Sequence, residues 1–417
     1  MIMKQIFTAR IAALAWKNIW RNKVRSGVIL SAIAIGLFSG TFMMAFMSGW
    51  IHDTVTGDIE TQFSHVQIHD KHFIANNDIN ACFMRDDVEA KIKQSGLPAT
   101  TAFRLVLTGM LASPHNAIGV TAKGVWTDEE KQVTTVWEHI SDTLGAYLPE
   151  DTRLGIVISK KIAEKLKVRL NQKIVFTFQD TQGDMQNIAF RVCGIYKTTN
   201  GMFDEANVFM RYEDLFEYTG LPAGAVHEAG ILFPDLETCQ TTAPQLKNMF
   251  PDMDARDWRE LNPALAMMEA FADMWGFIML VIFMLALSFG IINTMLMSVL
   301  ERTRELGMLG AIGMGKGKIF QMIMLETVFL TFLGSIIGII LGIGVLLPLM
   351  KTGIDLSIFI EDQFEDWGFS SFVNPVLTAK MLVETIVLVV LAGLLSALYP
   401  ARKALKLKPL DAIRQDN

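Results

Sequence analysis

"MSVLERTRELGMLGAIGMGKGKIFQMIM", residues 297–324, sets six charged residues and five glycines between two long apolar runs. Gly310, Gly315 and Lys316 have the spacing of a phosphate-binding loop, but Gly317 stands where a Ser or Thr would hold magnesium. Such loops also follow a β-strand, whereas this stretch follows an apolar run long enough to cross a membrane. A nucleotide site is therefore excluded here. Glu301 with Arg304 and Arg302 with Glu305 are opposite charges three apart, which predicts a short helix. Leu306, Met308, Leu309 and Ile312 then give that helix an apolar surface suited to a partner's groove. Gly313, Gly315 and Gly317 let the chain turn back toward Phe320.

Working outward, the flanking runs recur elsewhere. The chain has 417 residues, of which 51% are hydrophobic, too many for an ordinary soluble protein of this length. A bilayer core about 30 Å thick takes about 20 apolar residues per helix. Residues 26–50, 274–300, 320–350 and 381–398 meet that length. The first run follows a basic stretch and lacks a small-residue cleavage site, so it reads as an uncleaved anchor.

Residues 1–25, 301–318 and 400–417 together hold 15 bases and 4 acids, leaving −17 elsewhere against −6 overall. Lys and Arg are retained on the cytoplasmic side during insertion. Both termini and 301–318 are therefore expected inside, with 51–273 and the loop 351–379 outside. The predicted fold class is a four-helix membrane protein with a large α+β extracytoplasmic domain between helices 1 and 2. Residues 1–25 precede the first helix and 399–417 form a cytoplasmic tail.

In residues 1–25, Phe7, Ile11, Ala15 and Ile19 form a ridge, with Arg10, Lys17 and Arg21 on another face and Trp16 and Trp20 four apart. This predicts an amphipathic helix lying on the inner membrane face. In the external segment, 65–69, 173–178, 188–196 and 207–210 read as strands by alternation and β-branched content. Gly183 centres a hairpin turn, Ser159 caps a helix over 159–168, and a second helix over 210–220 ends at Gly220. One or two small α+β units are expected. Asn262 and Pro263 open a helix that runs on into the second membrane span, predicting a stalk from about residue 263.

Cys82, Cys193 and Cys239 all fall outside; an odd number allows one disulfide or three thiols. His65, His69 and His72 lack the acidic partner of known zinc motifs and are expected at the surface. Gly36 with Gly40, and Gly334, Gly338 and Gly342, lie four apart on helix faces and predict close helix packing. Among membrane ionisable groups, Glu326 lies about two turns inside the third helix, and Lys380 and Glu384 flank the outer end of the fourth. Glu326 is expected to bond a neighbouring helix or reach the interface. A self-powered, ion-coupled carrier normally needs more mid-membrane charge than this.

"LERTRELGMLGAIGMGKGKIFQMIMLETVFLTFLGSIIGIILGIGV" (300–345) resembles the signature of FtsX-like ABC transporter permeases. "VVLAGLLSALYPARKALKLKPLDAIR" (389–414) is similar to that family's closing pattern, including Pro400, Ala401 and Pro409. "LAWKNIWRNKVRSGV" (14–28), "FSHVQIHD" (63–70), "GIVISKKIAEKLKVRLNQKIVF" (155–176) and "FRVCGIY" (190–196) extend the resemblance across the chain. It implies a non-catalytic bacterial inner-membrane subunit that binds no cofactor itself. A separate cytoplasmic ABC ATPase would use ATP and Mg and drive external motions. The family's coupling helix would be Glu301, Arg302, Arg304, Glu305, Leu306, Met308, Leu309 and Ile312.

The resemblance also implies a second permease subunit, identical or paralogous, and an external carrier or membrane-fusion protein, with no nucleic acid. In size the chain looks most like the lipoprotein-releasing LolC and LolE subunits, which implies lipoprotein release, with Phe38, Phe42, Met43 and Phe46 lining a lipid cavity. Efflux of an antibiotic, peptide or other compound by a MacB-type system is the alternative reading. A membrane-anchored receptor or scaffold without an ATPase is the alternative of another class, and it would need the 301–312 apolar surface buried.

Overall fold

The computed structural model describes residues 2–356 and 371–405. The centre of the predicted 351–379 loop and the end of the predicted 399–417 tail lie outside them. Two compact units result, one of residues 1–51, 270–354 and 373–417 and the other of 52–269 and 355–372.

The helices of the first unit are α1 (Ile2–Arg21), α2 (Lys23–Asp58), α3 (Pro263–Glu301), α4 (Thr303–Ala311), α5 (Lys316–Thr352) and α6 (Ala379–Leu405). Among the described residues, α2, α3, α5 and α6 are long and apolar enough to cross a membrane. Small residues bring them together. A Cβ at Gly36 would lie 3.1 Å from Leu287, and one at Gly40 would lie 2.7 Å from Leu280, so both glycines seat α3 on α2. Gly334 faces Ile33 at 2.7 Å and Gly338 faces the Ala34 carbonyl oxygen at 2.9 Å, seating α5 on α2. Gly393 of α6 lies against Thr331 of α5. In lipid the gain comes from this close packing rather than from water release. Gly342 departs from the expected ridge: nothing lies within 4 Å of its Cβ position.

The amphipathic ridge of α1 is buried at Ile11, Ala15 and Ile19, while Trp16 and Trp20 are about half exposed. It packs on α5, with the Trp16 ring 5.6 Å from Phe329 and edge-on to it. This helix is thus part of the membrane-helix unit, not a separate surface element.

The second unit is built on one ten-stranded sheet. Its strands are β1 (Val66–Asp70), β2 (Thr100–Ala112), β3 (Ala117–Val125), β4 (Ile140–Gly145), β5 (Gly155–Ser159), β6 (Lys173–Gln179), β7 (Met185–Tyr196), β8 (Asn207–Arg211), β9 (Glu228–Leu232) and β10 (Met253–Asp257). Pairings run β2–β3, β3–β8, β8–β5, β5–β7, β7–β6 and back from β6 to β2, closing a six-stranded barrel. Closure removes free edges, which is how a barrel avoids edge-to-edge association. Leu105, Leu111, Ile158, Phe176 and Phe190 fill its interior. On the other half of β2, β9, β1 and β10 form a three-stranded arm.

Local signals explain several elements. Ser159 Oγ accepts from the Ile162 amide at 3.0 Å and opens the helix Lys160–Leu166. Asp180 Oδ1 accepts from the amides of Gln182 and Asp184, and Gly183 takes φ +91° in the hairpin between β6 and β7. Asn262 Oδ1 accepts from the Leu265 amide at 3.1 Å where α3 begins. The three cysteines are free thiols, with Cys193 and Cys239 buried.

Two histidines contradict the surface reading. His65 and His69 are 6% and 3% exposed. His65 immediately precedes β1 and His69 lies within it, and consecutive residues Val66–His69 are all buried, so both faces of this strand are covered instead of one being left wet. His65 Nδ1 accepts from the Phe233 amide, and the His69 ring lies between the His227 carbonyl and Gln67 Oε1. His72 is exposed. No group of metal-ligating side chains occurs among the described residues.

Candidate functional site: a helix clamped between α1 and α5

The α3 helix ends at Glu301, and Arg302, at φ −101° and ψ 17°, breaks it before α4. Glu301 is therefore the last residue of the membrane helix, not part of the short helix that the sequence suggested. After α4, Gly313 adopts φ +102°, a left-handed conformation that turns the chain; Gly315 has an ordinary negative φ and Gly317 is already inside α5.

The charges pair differently from the local i, i+3 expectation. Arg21 of α1 pairs with Glu305, and Arg25 at the start of α2 pairs with Glu301. Arg25 also donates to Ser298 Oγ at 3.0 Å. Arg302 donates through Nη1 to both Glu326 carboxylate oxygens at 3.2 and 3.3 Å, and through Nη2 to the Asn18 carbonyl at 3.1 Å. The Arg302 and Glu326 side chains are only 11% and 9% exposed. Glu326 is thus the membrane-side anchor of the loop, as one of its two expected roles requires. Pairing a buried carboxylate with a guanidinium that also bonds the Asn18 carbonyl fixes geometry as well as charge.

The apolar set of α4 divides. Leu306 is 7% exposed and joins Ile19, Val299 and Ile319 in the core of the helical unit. Leu309 is half-buried, whereas Met308 and Ile312 are 51% and 85% exposed. Arg304 also lies on the exposed side. Beside α4 opens a cavity of about 320 Å³, walled by Leu14, Met295, Val299, Leu309 and Met322 and rimmed by Arg21 and Glu305. The arrangement can present a rigid, partly apolar knob, because Arg21 pairs with Glu305 of α4 while Arg25 and Glu326 hold Glu301 and Arg302 at the junction just before it.

Phe38, Phe42 and Phe46 stack along α2, with ring centroids 5.9 and 6.2 Å apart, and they and Met43 are half-buried. The clamp itself was hidden in the sequence, since its partners are 276 to 284 residues apart for the α1/α2 pairs. The three arginines and three lysines without an acid in residues 1–25 are the one available signal.

Comparison with known proteins places this geometry. The family described as FtsX-like permease C-terminal matches residues 277–409, and that described as MacB-like periplasmic core domain matches residues 26–235, half of the chain. The chain belongs to the FtsX-like permeases with a MacB-like periplasmic core domain.

Similar relatives include the macrolide export ATP-binding/permease protein MacB of Chlorobaculum tepidum, 39% identical over 30% of this chain and 17% of the relative. MacB of Neisseria gonorrhoeae is 26% identical over 73% of this chain and 47% of its own length. An uncharacterized ABC transporter permease of Methanocaldococcus jannaschii is 25% identical over 65% of this chain and 64% of the relative. The chain spans less than half the length of these MacB relatives. Among solved structures, the extracellular domain of the noncanonic ABC-type transporter YknZ from Gram-positive bacteria is 14% identical, with TM-score 0.32, covering 46% of this chain and 99% of that one. The periplasmic region of MacB from Actinobacillus actinomycetemcomitans is 10% identical, with TM-score 0.35, covering 52% and 97%. In this FtsX-like permease, α4 falls within the matched C-terminal segment and the barrel within the matched periplasmic core domain.

Proposed function

We propose that this chain is the membrane subunit of an ABC transporter in which a separate ATPase docks on α4 and drives movement of the external domain. The observation that carries this reading is the exposure of Met308 and Ile312 on and just after a helix held by Arg21–Glu305 and, at its N-cap, by Arg302–Glu326. A receptor or scaffold without a partner would bury that surface. The basic regions 1–25, 301–318 and 400–417 support a cytoplasmic position for both termini and α4 in a bacterial inner membrane. ATP and Mg act on the partner, and the membrane subunit performs no chemistry. A second permease subunit, identical or paralogous, completes the transporter.

For the cargo, the relatives named for macrolide export favour efflux of an apolar compound; a membrane-fusion protein is the external partner that the sequence resemblance implies for it. Lipoprotein release to a carrier, with Phe38, Phe42, Met43 and Phe46 lining the cavity, rests on the sequence resemblance to the lipoprotein-releasing subunits.

The test is affinity purification of the tagged chain from membranes in mild detergent, followed by ATPase assay. Glu301 and Glu305 are poor probes because reversing them breaks the chain's own clamp. Met308→Glu with Ile312→Glu changes exposed side chains only. Expected is an ATPase that accompanies the wild type and is absent from the double variant. Wild-type membranes that yield no nucleotide-hydrolysing partner overturn the reading.

A further inference from the structure

The arm of the external domain is where the chain enters from the membrane helices. β1 follows α2 after one π turn at Ile59–Phe63, and β10 leads through the short helix Trp258–Leu261 into α3. These strands are antiparallel neighbours, with Val66 opposite Asp257, and the Trp258 amide donates to the His65 carbonyl at 3.1 Å. Both membrane helices therefore connect to the same end of one strand pair. That pair reaches the barrel through β9, which pairs with β2 over only five residues, Glu228–Leu232 against Arg104–Thr100.

Across this narrow joint runs a row of polar side chains in register. Asp254 of β10 is opposite His69 of β1, His69 is opposite Glu228 of β9, and Glu228 is opposite Arg104 of β2. Directly opposed residues in antiparallel strands share a face and touch. Arg104, fully buried, pairs with Glu228 and donates through Nε to Glu130 at 2.9 and 3.1 Å. His69 Nε2 lies 3.9 Å from Glu228, and Phe73 is stacked between the rings of His69 and His227. Burial pushes the Glu228 carboxyl up, but Lys123, Arg104 and His69 outweigh it and hold it at about 2. Burial likewise disfavours the Arg104 charge, yet Glu130 and Glu228 keep it more firmly protonated than usual. The centre of the row stays ionised at any ordinary pH.

We propose that Arg104 is a positioning residue for force transfer, fixing with Glu228, His69 and Asp254 the strands that continue into the membrane helices to the barrel. This rests on the permease reading for its purpose. A one-residue slip here would carry every member of the row to the opposite face and part its buried charges. A buried ion pair adds little net stability over apolar packing but penalises every arrangement that separates it. Such a joint makes arm and barrel move as one body when α2 and α3 shift.

The test is amide hydrogen exchange of the full chain in lipid nanodiscs, comparing wild type with Arg104→Met/Glu130→Gln/Glu228→Gln. Expected is exchange of 66–70 and 253–257 faster by about tenfold, a usual coupling for contacting residues, with 155–159, 173–179 and 185–196 unchanged. Arg104→Lys, which keeps the charge and loses the fork, is expected to show a smaller change confined to the same strands, and it decides the matter if the triple variant does not fold. Unchanged exchange in the arm, or equal acceleration of arm and barrel, overturns the proposal. Neither outcome depends on a partner ATPase. With the ATPase bound, the triple variant is expected to hydrolyse ATP normally and to transport less per ATP; failure to find any ATPase overturns the permease reading and leaves the exchange result standing.

Discussion

Replacing Arg302 by alanine is expected to be the most damaging single change in the helical unit. Its guanidinium carries two contacts to Glu326, at 3.2 and 3.3 Å, and one to the Asn18 carbonyl. With both side chains about one-tenth exposed, solvent screens the pair only weakly. Arg302→Ala leaves the Glu326 carboxylate buried on α5 without its partner. Breaking a buried pair from one side costs about 3–5 kcal/mol. Removing both charges with Arg302→Met and Glu326→Leu strands no charge, so the double variant is expected within about 1 kcal/mol of wild type. The non-additivity between single and double variants is the signature of the pair. Unfolding in mixed micelles, followed by tryptophan fluorescence in a background that keeps Trp16 and Trp20 and replaces the other six tryptophans, gives the free energies. An Arg302→Ala loss below about 1 kcal/mol would refute the idea that this pair anchors α4.

Further outcomes follow from packing and titration. Gly338→Ala is expected to cost about 1–3 kcal/mol in the same unfolding assay, because its Cβ meets the rigid Ala34 carbonyl at 2.9 Å. Gly342→Ala, with open space around it, is expected to be neutral or slightly stabilising; equal effects at both positions would contradict the helix contact. In the external domain, burial lowers the pKa of His65, His69, His139 and His227 below their ordinary 6.5. As pH falls below about 6.5 the unfolded chain takes up protons that the folded domain refuses, so stability drops. The thermal midpoint is expected to fall between pH 7.5 and 5.5, and less steeply in His69→Gln; a rise would reverse the sign. Alkylation of the native chain should label Cys82 first, since Cys193 and Cys239 are buried with thiols pushed up to about 11. Three labels should appear after denaturation without reductant, and only one would reveal a disulfide.

Much of this architecture was legible from hydropathy and charge, because a lipid-crossing helix demands a long apolar run wherever it sits. Caps at Ser159 and Asn262 were equally plain, since they depend on neighbours within three residues. The longest hairpin, β2–β3, escaped notice. "TTAFRLVLTGMLA" and "AIGVTAKGV" mix glycine, alanine and threonine without clean alternation, as suits strands packed on more than one face. The burial of His65 and His69 is hidden in the sequence for the same reason. The clamp on α4 failed for another: Arg302 and Glu305 satisfy a local pairing rule, and nothing in one sequence says that Glu326 and Arg21 offer better partners. Tertiary geometry overrides a surface i, i+3 pair worth only about 0.2–0.5 kcal/mol.

The most direct measurement is cross-linking from a photoreactive residue placed at Ile312, 85% exposed at the end of α4, with the same probe at Ile340, 65% exposed on the apolar α5, as control. In native membranes the probe at Ile312 is expected to capture one nucleotide-binding protein with a yield that changes when ATP is added, while Ile340 captures only lipid or membrane subunits. Capture of the same nucleotide-binding protein from both positions, or from neither, would contradict α4 as the docking site of a motor.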